Sequence, residues 1–325
     1  MRIGFEGFDL PENAIEFVTF VGIPASGKST LAKEYEKRGY KILSSDVVRA
    51  DIEQKLASGE IVMPSNTDLN SMVFDQIRKE AISSLQENVS VVFDATNLGR
   101  RRRMNFRKSL YRMNCLHTCI LFITSKDECL RRNSLREGYA RVPDEVMYKM
   151  FCNFECPNYW EGWDRIIPVI DDLPYSFDLS LTVGFSQTNP HQQLSLDEHM
   201  QVAYAFAVEQ GFSEAVQKVA RVHDIGKFYT KRFEDRRGEP TKTPRFYGHE
   251  NYGAYLYLTE ACCGKTLTKE EFDRILYETN LINCHMRPFS VWRDNPKARE
   301  KDKRIFGEQF YADLKALNAC DRTAR

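Results

Sequence analysis

Apolar and polar positions follow two different rhythms along this chain, and the change comes a little past its middle. In the first half, short apolar runs alternate with charged, helix-spaced stretches. Phe17 to Val21 predicts a buried strand that runs straight into a glycine-rich turn, and Ser29 to Lys37 predicts a helix. Tyr40 to Ser44, Val89 to Phe93 and Thr118 to Ile123 predict three more strands. Arg165 to Ile170 predicts a fifth, weakened by Pro168, which has no N–H for a ladder. Helical patterns between them, such as Leu69 to Leu85, imply right-handed crossovers and a parallel sheet with flanking helices.

Asp171 to Pro190 is irregular, broken by Pro174, Gly184, Asn189 and Pro190, and the domain boundary belongs there. Beyond it, Leu196 to Gln210, Ser213 to Val222, Gly248 to Leu258, Lys269 to Cys284 and Phe310 to Cys320 predict helices, with no convincing strand. The expectation is an α/β domain over 1–172 followed by an all-α domain over 173–325.

Composition agrees with that division. A chain of 325 residues exceeds one ordinary domain, and 42% hydrophobic residues exclude a disordered chain. Lys plus Arg equals Asp plus Glu at 46 each, so any nucleic-acid contact has to come from local basic patches. Nine cysteines without a small-domain framework read as reduced thiols. Neither Cys152 with Cys156 nor Cys262 with Cys263 has a second pair at zinc-site spacing. With no signal-peptide pattern and no apolar run near about 18 residues, the expectation is a cytoplasmic protein with no membrane role.

The turn after the first strand reads Gly22, Ile23, Pro24, Ala25, Ser26, Gly27, Lys28, Ser29, followed by Thr30. This is a phosphate-binding loop in its proper context, between strand and helix. Its backbone N–H groups and helix dipole suit phosphate oxygens, Lys28 reaches the β and γ phosphates, and Ser29 can ligate Mg²⁺. The second strand leads to Asp46, with Arg49 one turn later, at the same edge of a parallel sheet. Asp46 can accept a proton from an attacking hydroxyl, Arg49 can hold an anionic group of the acceptor, and Asp46 can also N-cap a helix from Val47. The third strand ends at Asp94. Arg132 and Arg136, four apart, are expected to share a helix face as a lid over the triphosphate. Arg100 to Arg103 is either a phosphate tether at the crevice rim or surface charge.

Lys28-Ser29, Asp46 with Arg49, Val92 to Leu98, and Arg132 to Arg136 followed by Val142-Pro143 resemble phage and bacterial polynucleotide 5′-hydroxyl kinases from about Phe17 to Tyr148. The resemblance implies ATP and Mg²⁺, Asp46 as general base, and Arg49 on the phosphate beside the acceptor 5′-OH. It also implies Arg136 as a lid arginine on ATP and Asp94 as an organiser of the site. The pattern shades into small-molecule kinases.

The second half holds His199, His223-Asp224, His249, His285 and Asp321, taking four of the chain's six histidines in addition to His223's partner carboxylate. Adjacent His and Asp on a helix can bind one or two metals, since a carboxylate bridges. Separate helices can bring the others to it. Nitrogen and carboxylate ligands suit Mn, Fe, Co, Ni or Zn. From about Pro190 to Asp321 the chain resembles the HD-domain phosphohydrolase superfamily, in its two-metal branch. That resemblance implies one metal on His199, His223, Asp224 and Asp321, and another on Asp224, His249 and His285. Asn189-Pro190-His191 and Phe246 to Glu250 are similar to HD domains attached to tRNA nucleotidyltransferases. His191, Lys227 and Arg245 are candidates to hold the departing phosphate.

Together the resemblances imply an RNA end-healing enzyme, with DNA as the other possible polynucleotide. Its kinase half makes 5′-phosphates, its HD half clears 2′,3′-cyclic, 2′- or 3′-phosphates, and an RNA ligase acts next. A small-molecule or nucleotide kinase fused to an HD nucleotidase is the alternative, and an ATP-regulated switch is more distant.

Overall fold

The computed structural model describes residues 2–4, 14–188 and 193–324. The Asn189-Pro190-His191 motif, with the proposed contact from His191, lies outside the described residues. The chain divides into two compact units, Met1–Val142 with Glu161–Ile170, and Pro143–Trp160 with Asp171–Arg325. The boundary expected at 172 puts 143–160 in the first half, whereas these contacts group that segment with the second unit.

The first unit is built on a six-stranded sheet. In chain order the strands are β1 (Arg2–Ile3), β2 (Glu16–Val21), β3 (Lys41–Ser44), β4 (Val91–Asp94), β5 (Leu116–Ile123) and β6 (Arg165–Ile170), in spatial order β1-β6-β5-β2-β4-β3. The five expected strands are parallel to one another, and β1 adds an unexpected antiparallel edge. Helices α1 (Lys28–Lys37), α2 (Ser45–Ala57), α3 (Leu69–Gln86), α4 (Arg100–Ser109) and α5 (Lys126–Ser134) connect them.

Every residue of β2 is buried, as a parallel strand covered on both faces must be. One face packs Phe17, Leu43, Val91 and Phe93 against Val73, Ile77, Ala81 and Leu85, a stripe of every fourth residue along α3. The other packs Val18, Phe20, Ile120 and Phe122 against Leu31, Ala32 and Tyr35 of α1. The chain leaves β2 toward one side of the sheet and crosses back beyond it to β5. The carboxyl ends of β2, β3 and β4 therefore open on a topological switch point, where α/β sheets bind ligands.

The second unit holds α6 (Asp144–Cys152), α7 (Leu196–Glu209), α8 (Glu214–Ala220), α9 (Lys227–Thr230), α10 (His249–Cys262), α11 (Lys269–Cys284), α12 (Arg287–Ser290), α13 (Pro296–Phe306) and α14 (Glu308–Thr323). It also carries a hairpin of β7 (Arg232–Glu234) and β8 (Pro240–Arg245), so the expectation of no strand there is corrected. Most of the hairpin's side chains are exposed or half-buried, which leaves no apolar alternation to read. The helix α10 is buried almost all round and forms the centre of the unit. A capping box starts α11, in which Thr268 Oγ1 accepts the Glu271 N–H and the Glu271 carboxylate accepts the Thr268 N–H. Ala203, Val216, Ala254, Leu281, Leu314 and Leu317 belong to one core from α7, α8, α10, α11 and α14. Among the described residues no helix is long and apolar enough to cross a membrane.

Candidate functional site

In the first unit the loop from Gly22 to Gly27 joins β2 to α1. Ala25 and Gly27 take left-handed φ values of 66° and 98°, which curl the backbone back on itself. A Cβ on Gly22 would lie 2.8 Å from both Phe122 Cβ and Ser26 Oγ, so only glycine lets the loop leave β2 at that height. The Gly22 N–H donates to the Thr96 carbonyl (3.1 Å), and Asn97, at φ 46°, donates its side-chain amide to the Phe20 carbonyl (2.9 Å). The segment after β4 thus braces the loop from the side.

The Lys28 ammonium donates to the carbonyls of Gly22 (3.0 Å) and Ile23 (2.8 Å), which parks it across the loop. Burial pulls this lysine down to about 8, with Asp94 and Asp46 working against that shift and Arg136 adding to it. These three charges therefore stand within electrostatic reach of one ammonium group. Asp94 ends β4, paired in register with Ser44, and burial raises its carboxyl above the usual range. The loop fits a phosphate chain: Ser26 Oγ is buried without a hydrogen-bond partner, and Ser29 and Thr30 are exposed at the start of α1.

Asp46 is exposed in the first turn of α2, which begins at Ser45 with Ser44 at the N-cap position, so Asp46 does not cap a helix from Val47. Arg49 is half-buried and donates to Asn70 Oδ1 (2.8 Å). The arginines of the expected lid are placed differently from each other. The helix α5 stops at Ser134, so Arg136 stands past its end and does not share a helix face with Arg132. Arg132 is turned onto Glu128 (2.6 Å). The loop carrying Arg136 is closed by Asn133, whose amide exchanges two hydrogen bonds with the backbone of Val142 (2.7 and 3.0 Å).

The run Arg100 to Arg103 is not a continuous tether. Arg100 and Arg103 are buried, and Arg103 pairs with Glu161 through two hydrogen bonds (2.8 and 2.6 Å) while donating to the carbonyls of Asn97 and Leu98. Only Arg101 and Arg102 of the run are exposed, and Arg102 lies 4.8 Å from the centroid of the Phe74 ring. Sequence reading missed this because the partner carboxylate is 58 residues away.

In the second unit His199 comes from α7, His223 and Asp224 from the turn between α8 and α9, His249 from the start of α10, His285 from just after α11, and Asp321 from α14. The expectation that His223-Asp224 sits on a helix is thus corrected to a turn. All six are buried and converge into two overlapping ligand sets, His199, His223, Asp224 and Asp321, and Asp224, His249 and His285. Asp224 belongs to both. Its Oδ2 lies 3.1 Å from His199 Nε2 and 3.5 Å from His223 Nε2, while its Oδ1 lies 3.2 Å from His249 Nε2 and 3.4 Å from His285 Nε2.

Each histidine is oriented by its other ring nitrogen. Nδ1 faces a backbone carbonyl in every case, Ala324 for His199 (2.6 Å), Ala220 for His223 (2.9 Å), Phe246 for His249 and Ile282 for His285 (both 2.7 Å). A carbonyl only accepts, so Nδ1 carries the proton, and a neutral ring then aims its Nε2 lone pair at the cluster. The Nε2 atoms of His199 and His223 approach to 3.2 Å, as do those of His249 and His285. Facing lone pairs beside two carboxylates call for positive charge between them. The charge balance agrees. Burial pulls His199 down, yet hydrogen bonds to Asp224 and Asp321 outweigh it and carry the imidazole up to about 9, so a proton sits on Nε2 wherever no other cation neutralises the two carboxylates. Asp224 Oδ1 is buried with no hydrogen-bond donor, as an oxygen meant for a cation would be. The residues fit a pair of divalent ions sharing Asp224.

Lys227 places its ammonium 2.6 Å from Asp224 Oδ2 and 2.9 Å from Gln187 Oε1. Gly226, just before it, packs its Cα so closely on α10 that a Cβ would lie 2.0 Å from the His249 carbonyl oxygen. Beside the cluster opens a cavity of about 880 Å³ whose lining includes Asp224, Asp321 and His249. Its cationic residues are Lys227, Arg245, Arg293, Arg299, Lys315 and Arg322. Of these only Lys227 and Arg245 were expected from sequence. The other four stand on or beside α13 and α14, where nothing in the pattern separates a lining arginine from a solvated one.

Residues 17–157 match a family model described as an AAA domain. That match supports a P-loop, kinase-like domain, and such a domain implies ATP and Mg²⁺. No curated protein matches the chain. Among solved structures, the chain is similar to a putative kinase from Chloroflexus aurantiacus, at 16% identity and a TM-score of 0.31, covering 37% of this chain and 64% of that one. A gluconokinase from Sinorhizobium meliloti matches at 19% identity and a TM-score of 0.35, covering 49% of this chain and 83% of the other. The structure of an RNA repair complex, Pnkp1/Rnl/Hen1, matches at 17% identity and a TM-score of 0.37, covering 62% and 70%.

Proposed function

We propose that this chain heals broken RNA ends, with the first unit phosphorylating 5′-hydroxyls and the second, as an HD-type phosphohydrolase, removing 2′,3′-cyclic, 2′- or 3′-phosphates. The observation that carries the reading is the division of ligands about Asp224 at the edge of a cation-lined cavity, in a chain whose other unit holds a phosphate loop.

In the first unit, the loop N–H groups and Lys28 hold the β and γ phosphates of ATP, and Ser29 stands where it can ligate Mg²⁺. Asp46 accepts the proton of the 5′-hydroxyl as its oxygen attacks the γ-phosphorus and ADP leaves. Arg49, steadied by Asn70, holds the neighbouring phosphate of the acceptor, and Arg136 neutralises charge on the triphosphate. Asp94 sets the field around Lys28.

In the second unit, His199, His223, Asp224 and Asp321 would hold one divalent ion and Asp224, His249 and His285 the other. Such a pair supplies Lewis-acid charge and makes water a nucleophile at neutral pH. The chain's own residues do the rest. The four carbonyls fix the ring orientations, Lys227 stands ready to take a phosphate oxygen, and Arg245 and its neighbours hold the anionic end. By ligand chemistry the ions would be Mn, Co, Ni, Fe or Zn. The product ends suit an RNA ligase.

One observation favours the second reading, a small-molecule or nucleotide kinase joined to a nucleotidase. Arg103 is locked on Glu161, which removes part of the expected basic tether for a polymeric acceptor. The two readings part in one assay. ATP labelled at its γ-phosphate is offered a 5′-OH RNA oligonucleotide, a free nucleoside or no acceptor, and RNA ending in a 2′,3′-cyclic phosphate is followed in parallel. Label transfer to RNA with loss of the cyclic end is expected. Transfer to the nucleoside alone would overturn the end-healing reading in favour of the second.

A further inference from the structure

The cavity beside the ligand cluster is far larger than a terminal phosphate needs, and most of its cationic lining lies beyond the cluster itself. Arg293 precedes α13, Arg299 is on α13, and Lys315 and Arg322 are on α14. The acids of the lining, Asp224 and Asp321, belong to the candidate ligand sets, and Asp224 also holds Lys227, so Arg293, Arg299, Lys315 and Arg322 are the cations turned to an anionic ligand. Lys315, Asn318 and Arg322 are spaced three and four apart and form a stripe along one face of α14, about 10 Å long at the helical rise. One phosphate cannot fill such a stripe. Asn318 Nδ2 is buried with no hydrogen-bond partner, a donor still unmet beside the cavity. Arg299 is braced by donating to the Tyr311 hydroxyl, which gives it a fixed direction. Tyr247, 40% exposed in the same lining, adds an aromatic face, with Arg236 5.0 Å from its ring centroid.

Resting on the phosphohydrolase reading above, we propose that this cavity binds the last few nucleotides of a single-stranded polynucleotide. The backbone phosphates behind the 3′ end lie along Arg293, Lys315 and Arg322, and a base stacks on Tyr247. A row of cations beside an aromatic face is how sequence-independent sites hold single strands. A mononucleotide fills only the part nearest the cluster, so the site reads a chain end and discriminates against free nucleotides.

The test uses the full chain and a hexanucleotide RNA with a 3′-phosphate and a 5′-fluorescein, which also blocks the end offered to the first unit. Binding is followed by anisotropy in chelator, so that nothing is turned over. For Arg293→Gln/Lys315→Gln the dissociation constant should rise at least tenfold. The slope of log affinity against log salt should fall by about 1.4, near 0.7 per lost phosphate contact on a single strand. Tyr247→Ala should weaken binding about tenfold with the slope unchanged. Uridine 3′-monophosphate should compete at least tenfold more weakly than the unlabelled hexanucleotide. Affinity and slope unchanged in the double variant, or equal competition by the mononucleotide, would overturn the subsite. Turnover of the 3′ end, measured separately with Mn²⁺, keeps the two ideas apart. Absent turnover with these binding losses sinks the reaction and leaves the subsite, while turnover with unaltered binding does the reverse.

Discussion

Gly226 packs its Cα directly onto the backbone carbonyl of His249, with no room for even one more carbon between them. This contact sets the distance between the Asp224 turn and α10, and so brings Asp224 Oδ1 within 3.2 Å of His249 Nε2. Gly226→Ala should lower stability by about 3 kcal/mol or more, because the obstructing atom is backbone and cannot swing away. A thermal melt of the metal-free protein checks this. An unchanged melting temperature would mean that the turn can shift without cost.

Asp224→Ala should strip both metals from the second unit, since each of its oxygens faces a separate histidine pair. His285→Ala should lose one. Metal analysis of purified protein should read close to two, one and none per chain for the parent, His285→Ala and Asp224→Ala. End-phosphate removal should fall with them and stop in chelator. Two metals retained without Asp224 would reject the bridging role.

The proposed base role of Asp46 rests on its place in the first turn of α2, within electrostatic reach of Lys28. Asp46→Ala should cut phosphoryl transfer by about 10² to 10⁴ while leaving ATP affinity within a few-fold, because in the proposed reaction the carboxylate acts on the acceptor hydroxyl and not on ATP. Arg49→Lys should not restore an Arg49→Ala loss, as an ammonium cannot copy a two-pronged guanidinium contact. Single-turnover transfer and nucleotide titration separate these effects.

Lys28 carries a pH signature. Its value near 8 in the ligand-free loop lies below that of an exposed lysine, and burial is the main cause. Below pH 8 the ammonium is already charged when ATP arrives, so no proton is needed. Above pH 8 the free loop is increasingly neutral, and binding of a polyphosphate should draw a proton from solution. Calorimetry in two buffers of different ionisation heat should show proton uptake that rises from near zero at pH 7 toward one at pH 9. ATP affinity should weaken over the same interval. Uptake that stays flat across it would show that Lys28 titrates elsewhere.

What the residues revealed depended on where their partners stood. The parallel strands were legible because strands buried on both faces read as unbroken apolar runs, as Phe17 to Val21 does. The edge strand β1, with two residues, is too short to give a pattern. The helix α13 went unread although Asn295 and Pro296 mark its start, because Asp302 is its only residue buried among those described. The candidate ligand residues stood out because histidines are scarce in this chain. Their orienting partners are backbone carbonyls, which leave no trace in residue identity. Arg103 was misread for the opposite reason, since a buried pair with Glu161 looks from sequence like part of an exposed basic run.

The segment 143–160 sits between two stretches of the first unit in sequence, yet its packing partners are in the second. Phe151 and Phe154 both set their rings edge-on to Tyr255, and Asn283 holds the backbone at Phe154 and Cys156. Anyone wishing to express the halves apart therefore faces a problem of cloning. A single cut near 172 carries this piece away with the wrong fragment, leaves α10 with a bare aromatic flank, and gives a C-terminal product prone to aggregate. A soluble second half requires 143–160 to be grafted back through a linker, and the first half requires its two stretches, up to 142 and from 161, to be kept on one chain.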